Sequence, residues 1–185
     1  MKKWIISALI ILNGTFLFAQ QTINDVHELM KASNDVVENL DRAKNFTILL
    51  SAINQAGLSE MFKSSGPVTL FAPTDKAFQK LPKGLLDTLL KPGHVPDLSY
   101  LLSSHAIAGR LTIKDIAAKI KTNDGQATFT TIAGSSLVAK INANRNIVLT
   151  DENGGESVIS TFDIPQKNGI LHVIDSVLIP KLKGM

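Results

Sequence analysis

The sequence predicts an α+β layer fold built around one hydrophobic core, and two observations lead to that fold class. Apolar residues recur at helical spacing through much of residues 22–104, whereas from residue 105 onward short apolar runs with partial alternation are separated by turn residues. The chain has 185 residues, of which 44% are apolar. A chain of this length buries about 70% of the surface that it exposes when unfolded, so its core needs neither a metal nor a disulfide.

Residues 1–19 are expected to form a secretory signal peptide that is removed. Two lysines precede the apolar run WIISALIILNGTFLFA, and the small residue Ala19 ends it. The run is shorter than the ~20 apolar residues of a membrane-spanning helix, and Asn13-Gly14 interrupts it. Cleavage is therefore favoured over retention as a membrane anchor, and we expect no stable membrane span afterwards.

Helix caps predict the first elements after the signal peptide. Thr22 is placed to cap a helix within an expected N-terminal helical extension, residues 20–34. The main domain is expected over residues 35–182. It begins with a helix at Asp35–Ala43, and Thr47 is a plausible cap for the next helix.

A buried strand and three short helices are predicted next. Val68–Ala72 is a short, largely apolar run, which is typical of a buried strand. Thr74 is predicted to cap the short helix that follows it. Two more helical segments, Leu85–Leu90 and Pro96–Ser103, begin or end at Pro and Gly residues.

The second half of the chain is predicted to be rich in strands. His105–Arg110 is read as extended, and Thr112 with Asp115 resembles a capping box for a helix that ends near Ile120. The strands expected after this helix are Ala127–Ala133, Leu137–Ile141, Ile147–Thr150, Ser157–Phe162 and Ile170–Ile179. Most of the segments between them contain Asn, Gly and Asp, the residues that tight hairpin turns require.

Composition excludes several classes of function. The chain has no cysteine, which excludes a thiolate zinc site, a cysteine nucleophile and a disulfide framework. Without the two lysines of the signal peptide, 17 basic and 16 acidic side chains remain, a net charge of +1. Aromatic residues are not interleaved with arginines as they are on a base-stacking surface, so nucleic acid is not an expected partner.

No motif in the sequence indicates an enzyme, and neither a catalytic residue nor a cofactor is expected. His27-Glu28 resembles the start of the zinc-protease helix motif, but Lys31 stands where the second histidine must be. Asp151–Glu156 has the oxygen ligands of a calcium loop without their spacing, which favours a hairpin turn. A secreted hydrolase stays as a further hypothesis because a catalytic triad assembles in space and not in sequence.

Two histidines lie in apolar surroundings. His105 follows a leucine-rich helix, and His172 lies within the segment GILHVIDSVLIP. A polar ring in such a place must point to solvent or be hydrogen-bonded. For His105 a structural role is favoured over that of a metal ligand or catalytic base. A metal pair formed by His105 and His172 is the open alternative, and no other metal ligand is predicted.

Two long segments resemble the signature segments of the fasciclin domain family. GPVTLFAPTDKAFQKLP, residues 66–82, is similar to the first segment, and its core is Phe71, Ala72, Pro73, Thr74 and Asp75. NGILHVIDSVLIP, residues 168–180, is similar to the second, with Asn168, Gly169 and His172 in place. His105 matches the histidine that the family has between them. The match extends from about Asp35 to Pro180.

The resemblance implies a fasciclin-like fold, in which N-terminal helices pack on a β-sheet wedge or sandwich. The two apolar runs, near residue 70 and near residue 173, are expected to be neighbouring buried strands. Pro73-Thr74-Asp75 is expected to form a rigid turn that offers oxygen acceptors to helix N–H groups.

The resemblance also implies candidate binding residues. Some animal members of the family bind integrins through a Tyr-His region with apolar flanks, and here Ser104 takes the place of the tyrosine before His105. A second integrin-associated feature is an Asp-Ile pair before the second signature segment, which Asp163-Ile164 matches. The alternative is that Asp163-Ile164 belongs to a loop that enters the final strand.

We therefore expect a secreted, periplasmic or cell-surface domain that acts as a non-catalytic adhesion or matrix-binding module. Its expected partner is an extracellular protein or polysaccharide. The alternative is a carrier of an apolar ligand such as a carotenoid, which some family members bind. An apolar groove beside His105 and the Asp163–Gln166 loop would be the sign of such a carrier.

Overall fold

A computed structural model describes residue 26, residues 28–64 and residues 66–181 of the chain. The expected signal peptide and the expected cap at Thr22 lie outside these residues. None of the helices within the described ranges has the length and the apolar character needed to cross a membrane. The described helices are α1 (Val36–Arg42), α2 (Thr47–Gln55), α3 (Ser59–Ser64), α4 (Asp75–Phe78), α5 (Leu85–Leu89), α6 (Val95–Ser103) and α7 (Ile113–Thr122), with a 3-10 turn at Pro92–His94.

Seven strands form one mixed sheet, which confirms the predicted α+β class. They are β1 (Val68–Pro73), β2 (Ala106–Ala108), β3 (Gln126–Thr130), β4 (Ser136–Ile141), β5 (Ile147–Thr150), β6 (Glu156–Gln166) and β7 (Gly169–Ile174). Their order across the sheet is β2-β1-β7-β6-β5-β4-β3. Strands β1 and β7 run parallel, and the other neighbouring strands run antiparallel.

The two signature segments lie side by side, as the sequence predicts. Val68 of β1 pairs with Gly169 of β7, and Phe71 pairs with His172. A Cβ atom on Gly169 would lie 1.9 Å from the carbonyl oxygen of Val68, so only glycine permits this close approach of the two backbones. Both strands are buried along their whole length.

The buried apolar side chains form two clusters, where the sequence led us to expect one core. The helical cluster contains Leu70 and Leu171 together with side chains of α1 to α6. The sheet cluster contains Phe71 and Ile174 together with side chains of α7 and of β3, β4 and β5. Successive residues of a strand point to opposite faces, so β1 and β7 supply side chains to both clusters. These two strands therefore join the two halves of the molecule.

Helix α2 begins differently from the prediction. Its N-terminal cap is Phe46, not Thr47, and no side chain of that residue accepts a hydrogen bond. The carboxylate of Asp75 instead accepts the N–H of Ile48 at 2.9 Å and the hydroxyl of Thr47 at 2.8 Å. Thr74 caps α4 as predicted. The Pro-Thr-Asp turn thus serves two helices, one of which lies 27 residues earlier in the chain.

Strand boundaries also differ from the prediction near the second signature segment. Strand β6 extends to Gln166, so Asp163–Gln166 belongs to a strand and does not form a loop. Strand β7 ends at Ile174, five residues before the predicted end at Ile179. Directly after this end, the N–H of Asp175 donates to the carbonyl of Val158 at 3.2 Å, while the Asp175 carboxylate accepts the N–H of Val158 at 2.8 Å.

Candidate binding site around two buried histidines

His105 connects the end of α6 to the chain that follows β7. Its Nδ1 lies 2.8 Å from the carbonyl oxygen of Leu101, and its Nε2 accepts the N–H of Leu178 at 2.9 Å. A carbonyl can only accept and an N–H can only donate, so Nδ1 carries the proton and the ring is neutral. The imidazole is fully buried and fills the gap between two segments that lie 73 residues apart.

Burial keeps the His105 ring neutral. Loss of solvation lowers the pKa of His105 from 6.5 to about 4, and this effect exceeds the opposing influence of the Leu101 carbonyl and of the negative charge of Asp151. A second proton on the ring would also displace the N–H of Leu178 from Nε2. The structural role expected for His105 agrees with these contacts.

His172 forms a similar connection with the opposite tautomer. Its Nε2 donates to the carbonyl oxygen of Leu111 at 2.8 Å, and its Nδ1 accepts the N–H of Asp163 at 3.2 Å. The ring stacks on Phe71, with centroids 5.6 Å apart and planes inclined by 24°. Burial also lowers the pKa of His172, against the Leu111 carbonyl and the charge of Asp163.

Strand β1 lies between the two histidine segments. The N–H of Phe71 donates to the carbonyl of His105 at 2.8 Å, while the Phe71 ring stacks on His172. All four ring nitrogens have backbone partners, so a metal would displace one of these hydrogen bonds before it could bind. Within the described ranges, no cluster of three or more His, Cys, Asp or Glu side chains is arranged to hold a metal ion.

Ser104 is buried beside His105. Its hydroxyl donates to the carbonyl of Leu101 at 2.6 Å, the same carbonyl that accepts from His105. A cavity of about 10 Å³ next to Ser104 has room for no more than one water molecule. Ser104 and His105 therefore support the end of α6 and the start of β2, and their side chains lie beneath the surface.

Asp163 and Ile164 follow a bulge in β6. Between Thr161 and Ile164, β6 has one more residue than the opposing segment of β7, and Asp163 adopts a left-handed φ of 59°. The Asp163 carboxylate accepts the N–H of Ile113 at 2.8 Å, at the start of α7. Ile164 is buried in the helical cluster. Phe162 lies on the outward face of β6 together with Ser160, and 48% of this residue is exposed.

The two candidate pairs share no hydrogen bond among the described residues. Asp163 hydrogen-bonds to His172, and among the hydrogen bonds of the described residues none joins it to Ser104 or His105. Phe162 is the exposed residue of this region that sequence reasoning missed. The alternation of β6 could have indicated it, because Phe162 lies on the same face of the strand as the exposed Ser160.

Asn168 holds four segments together at the other end of β7. Its side-chain oxygen accepts the N–H of Val36 at 3.2 Å, and its amide donates to the carbonyls of Phe62 and Lys63. Its own carbonyl accepts the N–H of Val68 at 3.1 Å. Asn168 therefore fixes α1, the end of α3 and β1 relative to each other.

The groove expected of an apolar-ligand carrier would lie beside His105 and residues 163–166. Gln166, the last residue of that segment, is buried and accepts a hydrogen bond from the Asn39 amide at 2.5 Å. The larger of the two cavities described here, about 400 Å³, lies elsewhere and is lined by Lys63, Arg110 and Lys167. A carrier function stays a prediction, which pigment in the purified protein would support.

Comparisons with known proteins give concordant results. The family model of the Fasciclin domain matches residues 24–180. The protein sll1735 of Synechocystis sp. is 32% identical over 145 residues, which are 78% of this chain and 97% of that protein. The transforming growth factor-beta-induced protein ig-h3 of Oryctolagus cuniculus is 29% identical over 159 residues, which are 84% of this chain and 21% of that protein.

A solved structure has the same fold. It is a FAS1 domain pair from the insect cell adhesion molecule Fasciclin I, which matches with a TM-score of 0.66. The match covers 81% of this chain and 51% of the other, at 19% sequence identity. The likeness therefore extends to the arrangement of helices and strands and does not by itself indicate a shared partner.

Proposed function

The chain belongs to the fasciclin domain family, and we propose that it is a secreted or cell-surface binding module, without catalytic activity, that attaches to an extracellular protein or polysaccharide. The observation that carries the proposal is an exposed aromatic ring, Phe162, beside the fixed carboxylate of Asp163 at the β6 bulge. The likeness to a domain pair of an insect cell adhesion molecule supports the adhesion class. The expected signal peptide supports export.

The contact surface we propose consists of Phe162 and Asp163. Aromatic side chains are common anchors of protein interfaces because they bury a large area while losing little conformational freedom. Asp163 is half-buried and held by two hydrogen bonds, one from Ile113 and one to the His172 ring. Ser104, His105 and Ile164 are buried, so in this proposal they support the fold beneath the surface.

The test is a binding screen of the full chain against immobilised extracellular matrix proteins and polysaccharides. We expect at least one specific partner, and we expect Phe162→Ser to weaken its binding by about tenfold or more, since a central aromatic anchor contributes about 2 kcal/mol or more. Ile141→Ser is the matched control because Ile141 is equally exposed, at 48%, but lies on β4.

Two results would count against the proposal. A screen without any specific partner would reject the adhesion function itself. Equal loss of binding for Phe162→Ser and Ile141→Ser would show that general surface hydrophobicity, and not the bulge, is responsible.

A further inference from the structure

The cavity near Asn168 is lined mainly by positively charged side chains. It has a volume of about 400 Å³, and the charged side chains that line it are Lys63, Arg110, Lys167 and one acid, Asp35. We name it the basic cavity. Ligand sites in proteins have volumes of about 300–1,000 Å³, so this cavity lies at the small end of that range. A single small group, such as one sugar unit, fits such a volume.

Most of the positive charge in the basic cavity is uncompensated. Lys63 pairs with Glu60 at 3.4 Å, and both side chains are largely exposed, so the pair is weak. Within the part of the chain that the structure describes, neither Arg110 nor Lys167 forms an ion pair. Asp35 adds one negative charge to the lining. Its carboxylate caps α1 by accepting the N–H of Glu38 at 2.9 Å.

The backbone beneath the basic cavity is held in place. Asn168, one of the lining residues, is hydrogen-bonded to α1, to the end of α3 and to β1. The Thr69 hydroxyl donates to the carbonyl of Gly109 at 2.7 Å and accepts the N–H of Leu111 at 2.9 Å, so Arg110 lies between two fixed residues. The N–H of Lys167 donates to the carbonyl of Asn34 at 2.8 Å. A site with a fixed backbone loses less entropy on binding.

We propose that the basic cavity binds an acidic sugar unit of an extracellular polysaccharide, through its carboxylate or sulfate group. Arg110 supplies a planar guanidinium that can donate two parallel hydrogen bonds to an oxyanion, and Lys63 and Lys167 add charge on the other walls. The Asn168 side chain is occupied by its bonds to α1 and α3, so in this proposal the recognition of the acidic group depends on the three cationic side chains. This proposal rests on the binding function above and names one partner class for a second surface of the domain.

The probe is sodium glucuronate, added to the isotope-labelled full chain while backbone amide signals are followed by NMR. We expect saturable shifts at Gly66, Asn168 and Gly169, with glucose at the same concentration and sodium chloride as controls. Sodium sulfate forms a separate arm, which distinguishes recognition of the oxyanion alone from recognition of the sugar acid. Saturation by glucuronate alone or by both anions agrees with the proposal. Shifts that are equal for glucuronate and glucose would overturn it.

Variants test which charges are responsible. We expect the double change Arg110→Gln and Lys167→Gln to weaken glucuronate binding by about tenfold or more, because charged hydrogen bonds are lost. The control is Lys121→Gln with Lys140→Gln, which removes the same charge from exposed sites on α7 and β4 and leaves the affinity within about twofold.

A gain of affinity gives a sharper test than a loss. Asp35→Asn keeps a good helix cap and removes the one negative charge of the basic cavity, so we expect it to strengthen glucuronate binding by roughly twofold. Unchanged affinity in both this variant and the double variant would overturn the proposal. If the matrix screen succeeds through Phe162 while glucuronate leaves the cavity amides unshifted, the cavity proposal fails and the adhesion function stands.

Discussion

His105 and His172 are both fully buried in the same sheet region, yet they stabilise different junctions of the fold. His105 joins the end of α6 to the chain after β7 through hydrogen bonds that lie wholly in the interior. His172 joins the loop before α7 to the β6 bulge through hydrogen bonds that lie closer to solvent. One junction is thus part of the interior and the other lies beneath the proposed contact surface.

The comparison shows what imidazole provides that other side chains of its size do not. A neutral ring has one donor and one acceptor on opposite edges, so it can connect a backbone carbonyl to a backbone N–H. The two histidines use opposite nitrogens as donors, which means that the tautomer follows from the local backbone and not from the residue type. Phenylalanine would keep an aromatic ring, of somewhat larger volume, at either position and remove both hydrogen bonds.

The largest expected effect is on the His105 junction. His105→Phe should lower the free energy of unfolding by about 3 kcal/mol, because it leaves a buried carbonyl and a buried N–H without partners. His172→Phe should cost less, about 2 kcal/mol, since Leu111 and Asp163 are only half-buried and water can reach them. Urea unfolding at pH 7 measures both values. Equal losses would mean that solvent access does not distinguish the junctions.

Acid should weaken the His105 junction by a smaller amount. The folded chain holds the pKa of His105 at about 4, below its ordinary value of 6.5, so between these values only the unfolded chain takes up the proton. The contribution of the neutral His105 ring to the free energy of unfolding is fully present above pH 6.5 and is lost progressively as the pH falls to 4. Between pH 6.5 and pH 5 this single proton lowers the free energy of unfolding by about 2 kcal/mol.

His105→Phe provides the control for that pH dependence. The variant lacks the ring that titrates, so its loss of stability between pH 6.5 and pH 5 should be smaller than that of the unaltered chain by about 2 kcal/mol. What remains should come largely from His172, whose pKa is also lowered by burial. Parallel pH profiles for the two proteins would contradict a neutral, buried His105.

The sequence predicts the fold better than it predicts the surface. The apolar runs of β1 and β7 identify the two strands that are buried along their whole length, because a strand that is buried on both faces consists mostly of apolar residues. The capping box of Thr112 and Asp115 is confirmed at the start of α7. The cap that Asp75 provides to α2 was not predictable, since it joins residues that only the folded chain brings together.

The basic cavity depends on distant parts of the chain. Lys63, Arg110 and Lys167 are isolated in the sequence, and they share one cavity only because α3, the loop after β2 and the turn between β6 and β7 meet at Asn168. A local pattern cannot indicate such a cavity. Phe162, by contrast, lies on the same outward face of β6 as Ser160, so the alternation of this strand indicates its exposure.

The smallest expected effect concerns Asp163, whose N–H donates to His172 at the second junction. Asp163→Ala should lower the free energy of unfolding by about 1–2 kcal/mol, because alanine cannot accept the N–H of Ile113 and is unfavourable at a φ of 59°. Asp163→Asn should stay within about 0.5 kcal/mol of the unaltered chain, since asparagine accepts the same hydrogen bond and tolerates the left-handed conformation. Urea unfolding of both variants makes the comparison. A large loss for Asp163→Asn would assign the stability of this junction to the charge of Asp163, and the left-handed backbone and its hydrogen bond to α7 would then be secondary.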